Sequence, residues 1–344
     1  MLGKITKRTA PVKFFQAGFV LVAFVLTIVI PAFAAEERVT EDDKGIFNVV
    51  IENDVFAGSD RDYTNGIRFS WLSPEKNMPK LARSIARRLP LADDGNQRIS
   101  VAAGQSMFAP EDIGRRIPDP RDHPYAGWLY GSVGMVTDTG NTLNNVMLTV
   151  GVVGPLARAE QTQKFIHRYT GSPQPKGWDS QLKNEPGVIF TYERKWRKIY
   201  EFSPFGLGAD VTPHVGFNLG NINTDASIGT TFRLGYDLPA DYGPPRIRPS
   251  LPGSDFFIPT KTMGGYLFTT VAARAVARNI FLDGNTFRDG PGVDKKNLVN
   301  SLQLGAAITL GQTRLSYTHV LLTEEYSSQR RKPAFGALTL SRRF

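Results

Sequence analysis

The sequence predicts an all-β protein, a transmembrane antiparallel β-barrel of about twelve strands with a short helix in an extracellular loop. Three observations predict it. A short apolar segment near the amino terminus indicates export, and the rest of the chain repeatedly alternates apolar and polar residues. After the export segment, no apolar run approaches the roughly 20 residues that a membrane-spanning helix needs.

The amino-terminal segment has the composition of a cleaved secretory signal. Four basic residues precede the apolar run from 17 to 30, and Ala32-Phe33-Ala34 follows as a small-x-small cleavage site. A membrane anchor is the alternative, but the run is shorter than the roughly 20 residues that span a bilayer. We therefore expect residues 1–34 to be removed and residues 35–344 to form the outer-membrane barrel domain.

Composition limits the chemistry of the mature chain. The 344 residues include 41 basic and 32 acidic side chains, a net charge of +9, and loss of the signal leaves +5. A modest basic excess on an exported protein suits anionic lipid better than nucleic acid. The chain has no Cys, which excludes a disulfide framework, a thiol nucleophile and thiolate metal sites. Catalysis would have to use oxygen and nitrogen side chains.

The alternation is clear from the first predicted strand onward. Between residues 45 and 56, Phe47, Val49 and Ile51 share one face, while polar residues occupy the other. Polar and charged residues on the second face of successive strands indicate a barrel with lipid outside and a polar lumen. The predicted strands are 45–56, 63–72, 97–107, 125–138, 142–153, 188–196, 207–217, 224–237, 264–277, 298–310, 313–322 and 335–344.

Strand parity assigns the loops to sides of the membrane if the amino terminus lies in the periplasm. Three loops are then outside the cell: 57–62, 109–124 and 154–187. The segment 73–96 lies inside and contains a basic amphipathic stretch, residues 80–89, for which a membrane-surface helix and a plug or rim helix both remain open. Pro213 leaves neighbouring strand boundaries open, and with them the side of the loop 238–263.

Polar residues gather where the first strand ends and the second begins. A short turn brings Asp54 and Thr64 to the same barrel mouth, with Asn53 beside them, and alternation places Asp54 and Thr64 on the lumen side. A carboxylate, an amide and a hydroxyl can bind a hard cation such as Ca²⁺. The same residue types are favoured in hairpin turns, so both interpretations stay open at this point.

The long loop 154–187 contains a predicted helix. Residues 158–169 lack Gly and Pro, and Glu160, Gln163 and His167 fall on one helical face. A neutral imidazole can take a proton from water near neutral pH, and a bound cation can polarise an ester carbonyl. A His-bearing helix over a barrel rim that carries Asp54 therefore predicts a hydrolytic site. Glu160 and Glu185 are either further metal ligands or solvated acids.

Other motifs are missing. There is no Gly-x-Ser-x-Gly elbow, no phosphate-binding Gly-rich loop and no His-Glu-x-x-His helix, which argues against serine hydrolases, nucleotide enzymes and zinc proteases. Four tryptophans are predicted as interfacial girdle or packing residues: Trp71, Trp128, Trp178 and Trp196.

Six short motifs, in this order and spacing, resemble LpxR, the outer-membrane lipid A 3′-O-deacylase family. The resemblance runs over most of the mature chain and is strongest from Asn53 to Glu185. The motifs are Asn53-Asp54, Asp62-Tyr63-Thr64-Asn65-Gly66, Pro124-Tyr125-Ala126-Gly127-Trp128, Gly151-Val152-Val153-Gly154-Pro155, Gln163-x-x-x-His167-Arg168 and Gly177-Trp178-Asp179-x-Gln181.

This resemblance implies a twelve-stranded barrel with its site between the wall and an external loop helix, facing the outer leaflet. It implies a calcium-dependent esterase that removes the 3′-linked acyloxyacyl chain of lipid A. His167 would be the base that activates water, and Asp54 would be tied to the calcium ion. The other positions that match the family's site are Asn53, Thr64, Gln163 and Arg115, with Arg116 as the alternative for the basic residue.

The expected function is thus a Ca²⁺-dependent lipid A deacylase, a monomer in the Gram-negative outer membrane acting on lipopolysaccharide, with external arginines favouring the lipid A phosphates. Two alternatives remain. An outer-membrane phospholipase would use similar groups on glycerophospholipid. A passive pore would need none of these residues, and about twelve strands leave little room for a wide channel.

Overall fold

The computed structural model describes residues 42–57, 62–75, 95–244 and 255–344. The predicted signal peptide and the amphipathic stretch 80–89 lie outside the described residues. Twelve long antiparallel strands form the molecule, in the number and order that the alternation predicts. They are β1 (Ile46–Asn53), β2 (Asp62–Leu72), β3 (Asn96–Ala109), β4 (Ala126–Asp138), β5 (Thr142–Val153), β6 (Glu185–Trp196), β7 (Gly208–Gly220), β8 (Asn223–Tyr236), β9 (Met263–Asn279), β10 (Leu298–Leu310), β11 (Thr313–Leu322) and β12 (Ala334–Arg343).

The strands close into a barrel because each has two neighbours. β1 pairs with both β2 and β12, and β6 pairs with both β5 and β7. A three-residue strand, Tyr200–Phe202, also pairs with β7, and Ala240–Asp241 pairs with Phe257–Ile258. Closure leaves no unpaired edge among the long strands, which is what a sheet in lipid requires.

The described helices are short. α1 is Ala159–Thr170 and α2 is Ile280–Asp283; single 3₁₀ turns occupy Asp54–Ala57, Pro155–Ala157, Trp178–Ser180 and Pro204–Gly206. None of the helices in the described ranges is both long and apolar enough to cross a membrane.

The barrel buries polar side chains and exposes apolar ones. On β1, Asn48 and Glu52 point inward and are fully buried, whereas Phe47 and Ile51 on the outer face are 40% and 38% exposed. The same alternation continues around the barrel, so an apolar belt faces outward. This is the arrangement of a barrel whose outer surface contacts lipid.

Pro213 lies inside β7 rather than at its end. β7 pairs with β6 only from His214 onward, and with the short strand Tyr200–Phe202 only up to Val211. Pro213 therefore occupies the interval between these two partners, where its missing N–H costs no ladder hydrogen bond on that side. The strand boundaries that the sequence left open follow from this gap.

Side chains fill the lumen near both ends. At the end of the barrel where β1 begins and β12 ends, Asp241 and Phe257 lie in the lumen: Asp241 binds Arg233 and Arg314, and Phe257 is fully buried. At the opposite end, Phe281 of α2 stacks on Phe108 with ring centroids 4.1 Å apart. The sequence left open the side of the membrane on which the loop 238–263 lies; its described residues, 238–244 and 255–263, belong to the end of the barrel where β1 begins. A barrel filled in this way offers little support for the passive-pore alternative.

Candidate active site

Glycines with positive φ lie before and after the helix α1. Gly154 has φ 97°, and a Cβ there would lie 2.6 Å from the backbone N of Asn184, so the beginning and the end of the loop meet at this residue. A 3₁₀ turn at Pro155 follows, and α1 then runs until Gly171, whose φ of 73° ends the helix in the left-handed region. The helix predicted over 158–169 is confirmed.

α1 lies on the outer face of the barrel wall. Gly127 and Gln105 alternate with the inward-facing Trp128 and Ser106, so both point outward. A Cβ at Gly127 would lie only 2.6 Å from the Cβ of Ala159, and the Gln105 Nε2 donates to the Ala157 carbonyl at 2.6 Å. The missing side chain at 127 is what lets the helix pack this closely.

The face of α1 that meets the wall is partly polar. Ala159, Gln163 and His167, spaced four residues apart, are its buried residues. Glu160 lies at the edge of this face, half-buried, and pairs with Lys164 at 2.5 Å. Burying an amide and an imidazole against a barrel wall is costly unless they are bonded, so their partners define the site.

His167 is held in one tautomer. Its Nδ1 lies 2.6 Å from the carbonyl oxygen of Pro173, just beyond the end of α1. A carbonyl oxygen can only accept, so Nδ1 carries the proton and the neutral ring has its lone pair on Nε2. His167 is 6% exposed, and its Nε2 is therefore a proton acceptor in a nearly closed space.

Gln163 is held by Trp178. The indole Nε1 donates to Oε1 of Gln163 at 2.7 Å, and both side chains are buried. Trp178 packs in a cluster on the outer face with Met107, Ala109, Ile113, Tyr125 and Ala159. Of the two predicted roles for Trp178, interfacial girdle or packing, the structure confirms packing, and the same side chain also bonds to Gln163.

The polar residues at the ends of β1 and β2 lie in register with a residue of the Trp178 cluster on β3. Asn53 pairs in register with Asn65, and Asn65 with Met107, which the α1 cluster covers. Because neighbouring strands are about 4.8 Å apart, two strand steps place Asn53 about 10 Å from Met107. The row lies on the outer face.

Thr64 and Asp54 depart from the alternation that assigned them to the lumen. A β-bulge separates the pairs Tyr63–Phe108 and Asn65–Met107, and Thr64 is the extra residue. Asp54 follows the last strand residue and begins a 3₁₀ turn in which Phe56 packs on the outward-facing Gly336. The turn and the bulge interrupt the period of two, so strand parity does not fix either side chain's direction.

The Arg115 side chain is exposed, unlike the buried pair on α1. It is 59% exposed and pairs with Asp112 at 3.1 Å, in a cleft of about 370 Å³ between the loops 110–122 and 326–331. Arg116 is exposed and forms no ion pair within the described part of the chain. Only the Arg115 backbone approaches the site, where a Cβ on Gly177 would lie 2.9 Å from its carbonyl oxygen.

In this cleft some arginines are paired with acids and others are not. Arg121 donates to Asp119 at 3.0 Å, and its side chain and backbone N–H lower the pKa of that carboxyl to about 2. Within the described ranges, Arg330 and Arg331 line the cleft without an ion pair of their own. The cleft therefore presents two arginines to an anion from outside.

Glu185 is a structural acid. Its carboxylate accepts from the Asn285 side chain and the Thr286 backbone N–H, each at 2.9 Å, and it is buried. These bonds tie the start of β6 to the loop after α2. Neither a solvated acid nor an open metal ligand describes this position.

A family model described as outer membrane protein LpxR matches residues 19–344. The chain belongs to the LpxR family. The matched range includes all twelve strands and the loop that carries α1, and an outer-membrane family agrees with the exposed apolar belt.

Among solved structures, LpxR from Salmonella typhimurium superposes with a TM-score of 0.69 at 18% identity, covering 87% of this chain and 100% of that one. At this identity the match establishes the fold that the two LpxR barrels share. The β domain of the Bordetella autotransporter BrkA gives a TM-score of 0.41 at 11% identity, covering 88% and 99%. A search of curated proteins found no match.

The donors of this LpxR barrel at the β1–β2 rim suit a calcium ion. Within the described ranges, no three His, Asp or Glu side chains gather as a metal cluster. Ca²⁺ also accepts neutral oxygen ligands, and the rim offers the Asp54 carboxylate, the Asn53 and Asn65 amides and the Thr64 hydroxyl. Thr64 Oγ1 is buried with no hydrogen-bond partner among the described residues, as expected of an oxygen that awaits a ligand.

Sequence reasoning missed two partners of the site. The Pro173 carbonyl leaves no signal in a sequence, because every residue has one. Trp178 lies 15 residues from Gln163, and only its place in the Gly177-Trp178-Asp179 motif marked it. Both orient a side chain that the sequence did identify.

Proposed function

We propose that this LpxR-family barrel is a calcium-dependent lipid A 3′-O-deacylase that hydrolyses the ester of the 3′-linked acyloxyacyl chain. The observation that carries the proposal is the bond from His167 Nδ1 to Pro173, which leaves Nε2 as a base on the outer face of the barrel. Water next to a base of this kind can attack an ester. The calcium dependence and the 3′ specificity are proposed because Asn53, Asp54, Thr64 and Gln163 match the LpxR family's site.

The location of α1 favours a substrate that is itself a membrane lipid. Phe165 and Tyr169 project from the free face of α1, 59% and 76% exposed, with ring centroids 4.7 Å apart. Aromatic side chains of this kind prefer the membrane interface. A lipid in the same leaflet reaches the space between α1 and the wall sideways, and its acyl chain stays in hydrocarbon.

The chain's own groups account for the proton movements. His167 Nε2 takes a proton from water as the water oxygen bonds to the acyl carbon. The carbonyl electron pair moves onto oxygen; when it returns, the sugar–oxygen leaving group departs and takes the proton back from His167. Asp54, with Asn53 and Thr64, would hold the Ca²⁺, which would supply positive charge beside the ester carbonyl.

The charges at the same end of the barrel suit a phosphorylated headgroup. The cleft described above is lined by four arginines and four acids, and two of the arginines, Arg115 and Arg121, are paired with Asp112 and Asp119. Arg330 and Arg331 line it without an ion pair within the described residues. Lipid A carries phosphates, which arginines bind through paired N–H donors. Arg330 and Arg331 are therefore the groups that we expect to bind a phosphate of lipid A.

The test is a mass spectrum of lipid A after incubation with the purified protein in mixed micelles. We expect loss of the 3′-acyloxyacyl mass with Ca²⁺, none with chelator, and recovery when Ca²⁺ is restored. His167→Ala should abolish release, while His214→Gln, inside the lumen on β7, serves as the matched control. Hydrolysis of glycerophospholipid with intact lipid A would overturn the substrate, and activity in His167→Ala would overturn the base.

A further inference from the structure

Trp178 is buried in the candidate site, and the mechanism proposed above does not use it. We propose that Trp178 is a positioning residue that locks the Gln163 carboxamide so that its NH₂ group donates to the carbonyl oxygen of the ester under attack. This inference rests on the proposed function. It adds an orienting residue and a hydrogen-bond donor to the site.

The chemistry of the indole fixes the orientation of the amide. A Trp Nε1–H can only donate, so the Gln163 atom 2.7 Å from it must be the oxygen. The opposite orientation would set two donors against each other. The NH₂ group of Gln163 therefore points away from Trp178.

That NH₂ group is a buried hydrogen-bond donor without an acceptor among the described residues. Gln163 is 1% exposed, and its Nε2 has no hydrogen-bond partner among the described residues. Buried donors are nearly always bonded, so an unmet one beside a candidate base points to a ligand. His167 is one helical turn further along the same buried face, so the two side chains leave α1 on the same side.

Trp178 is itself firmly held. A Cβ on the preceding Gly177 would lie 2.7 Å from the Tyr125 ring, so only glycine lets the chain pass there, and the Trp178 ring rests 4.8 Å from that of Tyr125. The backbone N–H of Lys176 donates to the Ile113 carbonyl at 2.9 Å. A ring fixed from several sides can fix the amide in turn.

The step that this arrangement serves is the addition of water to the ester. As the water oxygen bonds to the acyl carbon, its proton goes to His167 Nε2 and the carbonyl electron pair goes to oxygen. The Gln163 N–H groups donate to this developing oxyanion. Since the amide is held before the substrate arrives, it need not reorganise during the reaction.

The kinetic test is a double-mutant cycle. Gln163→Ala should lower kcat about 10²-fold, the usual effect of losing one oxyanion donor, and Trp178→Phe about tenfold or more, both with little change in KM. Trp178→Phe should have no further effect in the Gln163→Ala background. Gln163→Glu, which still accepts from the indole but cannot donate, should match Gln163→Ala.

Trp196→Phe is the control, because it makes the same substitution at the last residue of β6, at the opposite end of that strand from the loop that carries Trp178. Heat-modifiable mobility on gels reports whether each barrel has folded. Equal losses from Trp178→Phe in both backgrounds, or full activity of Gln163→Glu, would overturn the proposal.

A second measurement does not depend on activity. The four tryptophans give four indole N–H signals in ¹⁵N spectra of the folded protein in micelles, and Trp178→Phe assigns one of them. We expect this N–H to exchange slowly with solvent in the wild type and in His167→Ala, and to lose protection in Gln163→Ala. Rapid exchange in the wild type would overturn the positioning role, whereas a wild type inactive on lipid A would overturn the proposed function instead.

Discussion

The Nδ1 nitrogen of His167 lies 2.6 Å from the carbonyl oxygen of Pro173. This contact leaves Nε2 as the unprotonated nitrogen of the neutral imidazole, since the carbonyl oxygen can only accept a hydrogen bond. Gly171 ends α1 between the two residues and turns the chain so that the carbonyl faces back to the ring. The loop that follows the helix thus orients the imidazole that we propose as the base.

The first prediction concerns this tautomer. With ¹⁵N-labelled histidine, neutral His167 should show a protonated Nδ1 and an unprotonated Nε2, because the Pro173 carbonyl holds the Nδ1 proton. His167→Gln assigns the signals by their loss. A neutral His167 protonated at Nε2 would contradict the assignment of that nitrogen as the base.

The second prediction concerns the fit of α1 against the wall. Gly127→Val should push the helix outward, since a Cβ at 127 would already lie 2.6 Å from that of Ala159. We expect kcat to fall at least about tenfold, because small displacements of reacting groups are costly, while the barrel remains folded. Gly131→Val is the control: it lies on the same strand, and the nearest atom to its Cβ is 3.9 Å away. Equal activity of both variants would show that α1 does not need this contact.

The barrel was predictable because lipid and lumen impose one rule on every long strand. Alternation located all twelve strands, with every end within three residues of the one observed. It gives no side-chain direction where the chain departs from the period of two. Asp54 lies in a 3₁₀ turn, and Thr64 is the extra residue of a bulge whose neighbour Asn65 is also polar, so no hydrophobic pattern reveals the shift.

The site was only partly predictable for a related reason. Helical spacing brought Gln163 and His167 together, because positions four apart always share a face. Their partners come from the return of the loop, which local spacing does not encode. The direction of the Arg115 side chain likewise depends on the loop that pairs it with Asp112.

The third prediction concerns the arginines of the cleft. Arg115→Gln should raise KM for lipid A by no more than about fivefold and leave kcat unchanged, because an exposed, already paired side chain adds little binding energy. The double variant Arg330→Gln/Arg331→Gln should raise KM more, with the difference shrinking at high salt. Steady-state kinetics at two ionic strengths decide this. A large loss of kcat in Arg115→Gln would instead place this arginine beside the reacting ester.

The fourth prediction concerns calcium. A rim with one carboxylate and otherwise neutral oxygens should bind Ca²⁺ weakly, with an apparent Kd of about 10⁻⁴–10⁻³ M, because affinity follows the number of charged ligands. Asp54→Asn should raise the Ca²⁺ needed for half-maximal activity at least about tenfold, and Thr64→Val less. Activity against buffered free Ca²⁺ measures both. Unchanged Ca²⁺ dependence in Asp54→Asn would remove this carboxylate from the metal site.

The fifth prediction concerns the seam between the first and last strands. Just before β1, the Asp42 carboxylate accepts hydrogen bonds from Arg98 and from Arg343 at the end of β12, both at 2.6 Å. Burial by itself would raise the pKa of Asp42, but Arg343 and Arg98 outweigh it and lower the pKa below its usual value. The neighbouring Glu75 differs: mainly because of burial, its pKa is raised.

The two acids should therefore give stability opposite dependences on pH. Asp42 stabilises the fold above the unfolded carboxyl pKa of about 3.9, and this contribution is lost as pH falls through the lower folded value. Asp42→Asn should lower the urea midpoint at neutral pH and flatten the loss of stability below about pH 4. Glu75→Gln should remove a slope of the other sign, since a raised pKa makes the folded state lose stability as pH rises. Parallel pH profiles for wild type and Asp42→Asn would show that the Asp42–Arg343 pair does not stabilise the seam.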